Sequence, residues 1–173
     1  MKLGEKGYIY IELIVAITIA VLVVTATTMA IFQVMKNSER NSNHITAIGQ
    51  VQNAGSWISR DTQMAQSVTT NGLPSSDLLV LGWTDGDSGD EWQVVYTLEN
   101  MSVSGLKKLM RNQSINGGGN ISTLIAQYID PDSEKTKCQF VSGTLSLTIT
   151  AAVGNGSNME SESRTYQLVP RSS

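Results

Sequence analysis

The spacing of hydrophobic positions changes along the chain. Residues 13–35 carry no formal charge, and a helix of that length reaches roughly 35 Å, enough to cross a hydrocarbon core of about 30 Å. Farther on, apolar residues recur at spacings of three, four or seven and predict a buried helical stripe, formed by Ala47, Val51, Ala54, Ile58 and Ala65. Asn71 to Pro74 combine a left-handed cap candidate with a proline, so the helix is expected to stop near Thr70.

After Pro74 the pattern changes to short runs typical of β-strands. In Thr144–Val153, apolar residues alternate with Thr and Ser, the period of a half-buried antiparallel strand. Further strands are predicted at residues 78–83, 92–98, 106–110 and 164–169, whereas 116–120 resembles a glycine-rich loop and 121–129 is ambiguous between helix and strand. The predicted fold class is α+β: a long N-terminal hydrophobic helix continues into a head whose antiparallel sheet packs on its C-terminal half.

A lone carboxylate, Glu12, lies at the start of the uncharged run. Such a group costs several kcal/mol in hydrocarbon unless it is paired. Residues 1–7 carry two lysines but no apolar core, so they differ from an ordinary secretory signal. Cleavage between Gly7 and Tyr8 would place a new α-amino group four residues from Glu12, about one helical turn away. A buried amine and a carboxylate held close together favour each other's ionised forms.

The order Gly7-Tyr8-Ile9-Tyr10-Ile11-Glu12-Leu13 resembles the start of the type IV pilin family, which includes the pseudopilins of type II secretion systems and the minor pilins. The family pattern is a short basic leader ending in Gly, an aromatic residue or Met, three mostly apolar positions, Glu and a long apolar helix. The resemblance is specific over residues 6–32. It implies that a prepilin peptidase cleaves after Gly7 and methylates the amine of Tyr8, and that Glu12 acts in assembly.

The chain also departs from this family pattern. Tyr8 replaces the usual Phe, Ile9 the usual Thr and Tyr10 the usual Leu, and no proline interrupts the first helix. These differences leave the processing prediction intact but argue against a typical major pilin. Residues 57–61 and the late Cys138 also look like the minor pseudopilin class lettered J and its pilus relatives, a looser match.

The resemblance implies a domain organisation and a location. Residues 1–7 are a prepilin leader, 8–35 a transmembrane and filament-core helix, and 36–173 a soluble head that is helical to about residue 70 and then β-rich. The expected location is the cytoplasmic membrane, crossed once with the head outside the cytoplasm, and then a pilus or pseudopilus. The implied partners are the prepilin peptidase, other pilin-like subunits, the membrane assembly platform and the lipid bilayer.

Composition argues against several other function classes. Residues 36–173 contain ten Lys or Arg against thirteen Asp or Glu, a net charge of −3, so a broad basic footprint for nucleic acid is absent. The cluster of Lys107, Lys108 and Arg111 is interpreted as the solvated face of a strand. Cys138 is the only cysteine, which rules out an intramolecular disulfide. No nucleophile has an adjacent base signature, so we expect no enzyme activity and no cofactor.

Several other residues are of types that can carry chemistry. Asp85, Asp87 and Asp90 lie in a glycine-containing acidic segment that could offer oxygens to Ca²⁺, but the order lacks the EF-hand pattern and a solvated hairpin turn is preferred. Arg60-Asp61 is interpreted as a cap or ion pair on the helix surface. The three tryptophans are expected in the core or an interface; they are Trp57, Trp83 and Trp92.

Two functions from different classes remain open from the sequence. The first is a non-enzymatic pilin-like or pseudopilin subunit that is processed and then assembled into, or primes, a filament. The alternative is a single-pass membrane-anchored ligand-binding module that does not polymerise. Neighbouring genes with the same N-terminal pattern, an assembly ATPase and a prepilin peptidase would favour the first.

Overall fold

The computed structural model describes residues 5–102 and 105–171, with side chains from Tyr10 onward. The chain divides into two compact units, Met1–Asn41 and Ser42–Ser173. One α-helix, α1, runs over Glu5–Met64 and supplies residues to both units. An antiparallel sheet follows it. The predicted α+β class, with a long apolar N-terminal helix and an antiparallel sheet, is therefore confirmed.

In the first unit, the described side chains of α1 are exposed on every side. The most apolar 18-residue window of Tyr10–Met64 has a mean hydropathy of 2.5, and none of that window is buried. The helix is thus long and apolar enough to cross a membrane. Residues 36–43 are polar but remain α-helical.

In the second unit, one face of α1 is completely buried, as the spacing of apolar residues predicted. The buried residues of this stripe are Ala47, Val51, Ala54, Ile58 and, just after the helix end, Ala65. Gly55 lies beside the stripe, and a Cβ atom there would lie 2.2 Å from Cζ of Tyr166. The Tyr166 hydroxyl donates a hydrogen bond to the carbonyl of Val51 at 3.2 Å. The glycine therefore lets the helix approach the sheet closely.

The described part of the sheet has eight strands, and every pairing among them is antiparallel. They are β1 (Ser67–Thr69), β2 (Asp77–Thr84), β3 (Glu91–Asn100), β4 (Lys107–Ile115), β5 (Gly118–Ile129), β6 (Lys137–Val141), β7 (Thr144–Val153) and β8 (Glu160–Leu168). Their order is β1-β2-β3-β4-β5-β7-β6, and β8 also pairs with β7. Alternate side chains on β2, β3 and β7 complete the core, among them Leu79, Leu81, Val94, Tyr96, Leu145, Leu147 and Ile149.

The sheet is narrowly joined between β5 and β7, where Ile129 lies opposite Ala151. Side chains of α1 bond to the β5 backbone beside this junction. The amide nitrogen of Gln127 donates to Gln50 Oε1 at 2.7 Å, and Asn53 Nδ2 donates to the carbonyl of Ile125 at 2.6 Å. Because buried backbone groups need partners, these two amide side chains replace part of the missing strand ladder.

The predicted strands are confirmed, with differences in extent. Residues 78–83, 92–98, 106–110 and 164–169 fall largely within β2, β3, β4 and β8, and Thr144–Val153 is β7. The ambiguous segment 121–129 belongs to β5. The expected loop at 116–120 is wrong beyond its first two residues, because Asn116 and Gly117 have φ values of 50° and 67° and make a two-residue turn, after which β5 begins.

The predicted helix end near Thr70 is also wrong, since α1 ends at Met64. The amide nitrogen of Gln66 donates to the carbonyl of Gly82 at 2.9 Å, and the Gln66 side chain accepts from the amide nitrogen of Thr84 at 3.1 Å. Pairing with β2 thus takes the chain out of the helix before the proline-containing turn. The short strands β1 and β6 were not predicted from the sequence.

Candidate functional site

The residues of the predicted processing site lie near the start of α1. Gly7 and Tyr8 belong to its backbone, but their side chains lie outside the described part of the chain. Glu12 is exposed on the helix surface. It is followed by a run of residues without formal charge that reaches position 35. A single carboxylate therefore interrupts an otherwise apolar surface near its N-terminal end.

The apolar run presents large side chains in all directions. From Leu13 to Met35, the large apolar side chains have exposed fractions between 51% and 68%. Within the first unit, the described residues therefore leave this surface open. The threonine hydroxyls in the run donate to carbonyls of the preceding turn: Thr18 to Ile14, Thr25 to Val21, Thr27 to Val23 and Thr28 to Val24. Because their donors are satisfied within the helix, these residues add little cost in an apolar environment.

A buried ion pair joins the end of α1 to the sheet. Arg111 of β4 donates from Nε to Asp61 Oδ2 at 2.6 Å and from Nη2 to Asp61 Oδ1 at 3.1 Å. Tyr96 of β3 donates its hydroxyl to the same Oδ2 at 2.6 Å. Asp61 is completely buried, and Arg111 is 8% exposed. The guanidinium thus binds the carboxylate through a bidentate interaction, which is the strongest geometry for such a pair.

The pKa values of Tyr96 and Arg111, the two partners of Asp61, are shifted in the direction that keeps both groups protonated. Burial raises the pKa of Tyr96, and the charge of Asp61 raises it further, so the phenol stays protonated as a donor. Burial alone would lower the pKa of Arg111, but the hydrogen bonds and charge of Asp61 outweigh it and raise this pKa. Tyr96 and Arg111 therefore keep their protons near neutral pH and remain hydrogen-bond donors to Asp61.

The predicted surface positions of Asp61 and Arg111 were wrong. Asp61 follows Ile58 by three residues and precedes Ala65 by four, so it lies on the buried stripe itself. Arg111 follows the buried Leu109 by two residues and so shares its face of β4. Both signals were available in the sequence, because a charge on a buried face requires a partner of opposite charge.

The remaining basic residues of that cluster lie nearer the surface. Lys108 forms an ion pair with Glu99 at 3.0 Å, and both side chains are substantially exposed. Lys107 donates to the Asn100 side chain at 2.5 Å. The prediction of a solvated strand face therefore holds for the two lysines and fails for Arg111.

Aromatic side chains lie near the buried ion pair. The guanidinium carbon of Arg60 lies 4.3 Å from the ring centroid of Trp57, and that of Arg111 lies 5.4 Å from it. Trp83 and Trp92 form a parallel pair across β2 and β3, with ring centroids 6.0 Å apart and planes 4° apart. Trp57 and Trp83 pack against the core as predicted.

The acidic segment predicted as a weak calcium candidate is the hairpin turn between β2 and β3, as preferred. Asp85 Oδ1 accepts from the amide nitrogen of Asp87 at 3.0 Å. Asp90 accepts from Asn116 Nδ2 at 2.7 Å and from Ser88 Oγ at 2.8 Å, and these bonds lower the pKa of its carboxyl group. Among the described residues, no group of three or more His, Cys, Asp or Glu side chains is placed to hold a metal ion.

The lone cysteine lies in β6 and packs against the core. Burial raises the pKa of the Cys138 thiol to about 12. Since the thiolate is the reactive form, this side chain is a protonated thiol at neutral pH and is not suited to nucleophilic catalysis.

No protein-family model, curated protein or solved structure matches this chain.

Proposed function

We propose that this protein is a non-enzymatic pilin-like subunit, processed by a prepilin peptidase and assembled into, or priming, a pilus or secretion filament. The observation that carries the proposal is the first unit of α1: an apolar surface exposed on all sides, preceded at fixed spacing by Gly7, Tyr8 and Glu12. Such a surface requires cover from lipid or from other helices.

Lipid would cover the apolar surface first, and the helices of other subunits would cover it after assembly. Before assembly, the helix lies in the cytoplasmic membrane with the sheet-bearing unit outside the cytoplasm. In the filament, residues 13–32 pack against the same helices of neighbouring subunits, and Glu12 meets the Tyr8 amine of a neighbour. Pairing removes the cost of an isolated buried carboxylate, so it selects one register of addition.

The second unit supports a non-catalytic role. Its buried ion pair, Asp61 with Arg111 and the donor Tyr96, is fixed between helix and sheet. The class of minor pseudopilins lettered J is the narrower form of the proposal, supported by the resemblance around residues 57–61 and Cys138. Partners would be the peptidase, the assembly platform and other pilin-like chains.

The first prediction is that the mature protein begins at Tyr8 with a methylated amine. Mass spectrometry of the N-terminus should show this in protein extracted from membranes of cells that have the peptidase. Gly7→Leu should block cleavage and leave residue 1 in place, since the proposed peptidase recognises the glycine before the scissile bond. Leu13→Ile, a change within the apolar run, provides the matched control and should be processed normally. An intact Met1 in the unaltered protein would refute the pilin hypothesis and favour a membrane-anchored protein that does not polymerise.

A further inference from the structure

The helix-facing side of the sheet continues past the end of α1. Trp83 follows Leu81 by two residues and therefore shares its face of β2, and it lies opposite Trp92 of β3. The row continues to Ile115 of β4. Because α1 ends at Met64, this part of the face is incompletely covered, and both tryptophans are only half-buried.

The uncovered face forms an open cleft of about 510 Å³. This volume lies within the range of small-molecule sites. Arg60 and Met64 supply the helix side of the cleft, Asp85 and Gln113 supply strand and turn side chains, and the tryptophan pair contributes its apolar surface. The planes of the two indole rings are nearly parallel, 4° apart.

The buried ion pair also lines this cleft. Arg111 is held by Asp61 through two hydrogen bonds and donates a third from Nη1 to Gln113 Oε1 at 2.5 Å. These bonds use three of the five N–H donors of the guanidinium. A polar group fixed by its own hydrogen bonds is preorganised for binding, because little side-chain entropy is lost.

The charges of the cleft are balanced. Arg60 and Arg111 carry positive charge, and Asp61 and Asp85 carry negative charge. An ionic ligand would gain little from such a balanced field, whereas a neutral ligand with hydroxyl groups can accept from the guanidinium groups and donate to the carboxylate of Asp85. A pyranose ring with equatorial substituents combines flat C–H faces, suited to an indole surface, with hydroxyl groups around its edge.

We propose that this cleft binds a neutral oligosaccharide of equatorially substituted sugars, with an outer face of the Trp83–Trp92 pair against a sugar face and Arg60, Asp85 and Gln113 at its hydroxyls. The inference goes beyond filament assembly and does not depend on it. It would give the protein an affinity for polysaccharide surfaces.

The test uses the full chain in phosphatidylcholine nanodiscs, which avoids the sugar headgroups of maltoside detergents. Isothermal titration calorimetry with cellotetraose and with tetra-N-acetylchitotetraose should give saturable binding for at least one of them. Trp92→Ala should weaken that binding at least about fivefold, because it removes one of the two rings that form the apolar surface of the cleft. Arg60→Ala, at an exposed position and so with little effect on folding, should weaken it at least about threefold.

Gln93→Ala provides the matched control, because its side chain lies next to Trp92 in sequence but on the opposite face of β3. Its binding should equal that of the unaltered chain. Absence of saturable heat with both sugars up to about 10 mM, or tighter binding of the anionic tetragalacturonate, would overturn the proposal. If neither sugar binds and Trp92→Ala instead abolishes crosslinking to a second pilin-like chain, the cleft is a protein interface. Failure of N-terminal processing would refute the filament role without affecting these titrations.

Discussion

Two carboxylates of α1 lie on apolar helix surfaces and illustrate two ways of satisfying a charge. Asp61 lies on the buried stripe and receives its partners, Arg111 and Tyr96, from the same chain. Glu12 lies on the exposed apolar run, where the proposed partner is the amine of another subunit. The same physical cost, that of an unpaired charge away from water, requires a partner within the fold at Asp61 and is proposed to direct assembly at Glu12.

The second prediction concerns Glu12→Ala. The substitution removes a charge that is costly in lipid, so membrane insertion and cleavage after Gly7 should be preserved. Assembly should fail, because the Tyr8 amine of a neighbour would be stranded at a cost of about 3–5 kcal/mol. The measurement compares mature protein in the membrane fraction with crosslinking to pilin-like partners. Glu39→Ala, beyond the apolar run, is the control. Undiminished crosslinking at normal protein levels would remove Glu12 from the mechanism.

The third prediction concerns the buried ion pair. Arg111→Met should lower the free energy of unfolding by about 3–5 kcal/mol, because Asp61 would remain buried without its cation. Urea unfolding of the full chain in detergent micelles, followed by tryptophan fluorescence, measures this change. The exposed pair of Lys108 and Glu99 gives the control, since Lys108→Met should cost no more than about 1 kcal/mol.

A compensated variant makes this test sharper. Replacing Asp61 by Leu and Tyr96 by Phe together with Arg111→Met removes the whole polar group, so no charge or hydroxyl is left unpaired. Most of the lost stability should return, because a buried ion pair contributes little net stability over apolar residues of similar size. Equal losses in Arg111→Met and Lys108→Met would show that the pair is not buried in solution.

At the scale of the elements, two glycines of α1 differ in whether a larger side chain would fit. Gly49 has no atom within 4 Å of a built Cβ, whereas at Gly55 that Cβ would overlap the ring of Tyr166. The Tyr166 ring cannot simply move aside, because its hydroxyl is bonded to the carbonyl of Val51. The same residue type therefore has an incidental role at one position and a structural role at the other.

The fourth prediction follows from this difference. Gly49→Ala should raise the free energy of unfolding by up to about 1 kcal/mol, the gain in helix propensity. Gly55→Ala should lower it in spite of the same gain, since either the helix moves off the sheet or the Tyr166 bond is lost. Thermal unfolding of the two variants, each a matched control for the other, measures both signs. A rise in stability for Gly55→Ala would show that the close approach is absent.

At the scale of the whole molecule, the sheet depends on the second part of α1 for its cover. The buried stripe of the helix faces the core side of β2, β3 and β7, and Gln50 and Asn53 bond to the open edge of β5. Removal of these residues would expose apolar side chains and leave backbone groups of β5 without partners.

The fifth prediction is that a chain of residues 36–173 is soluble and folded, whereas one beginning at Asn71 aggregates. Both keep the strands from β2 onward, but only the first keeps the helix. Size-exclusion chromatography and thermal unfolding of the two chains decide the matter. A shorter chain that elutes as a monomer with the same melting transition would show that the helix does not stabilise the sheet.

Much of the architecture follows from the sequence alone, because it depends on local periodicity. The uncharged run, the stripe from Ala47 to Ala65 and the alternation in Thr144–Val153 each report which side chains face away from water. The sequence predicted a loop at Asn116-Gly117 but not a two-residue turn, although these residue types are those that such turns require. The motif from Gly7 to Glu12 is likewise recognised from the order of its residues, and the proposed function depends on it.

The tertiary structure alone decided which distant residues meet. The stripe predicted that Ile58 would be buried, but it could not say that Arg111, fifty residues after Asp61, would supply the cation for the charge beside it. Nor could it show that pairing of Gln66 with Gly82 would end the helix at Met64 and leave Trp83 and Trp92 in an open cleft. Periodicity fixes the face on which a side chain lies, whereas the partner on that face depends on strand register and helix position, which arise only when the elements pack together.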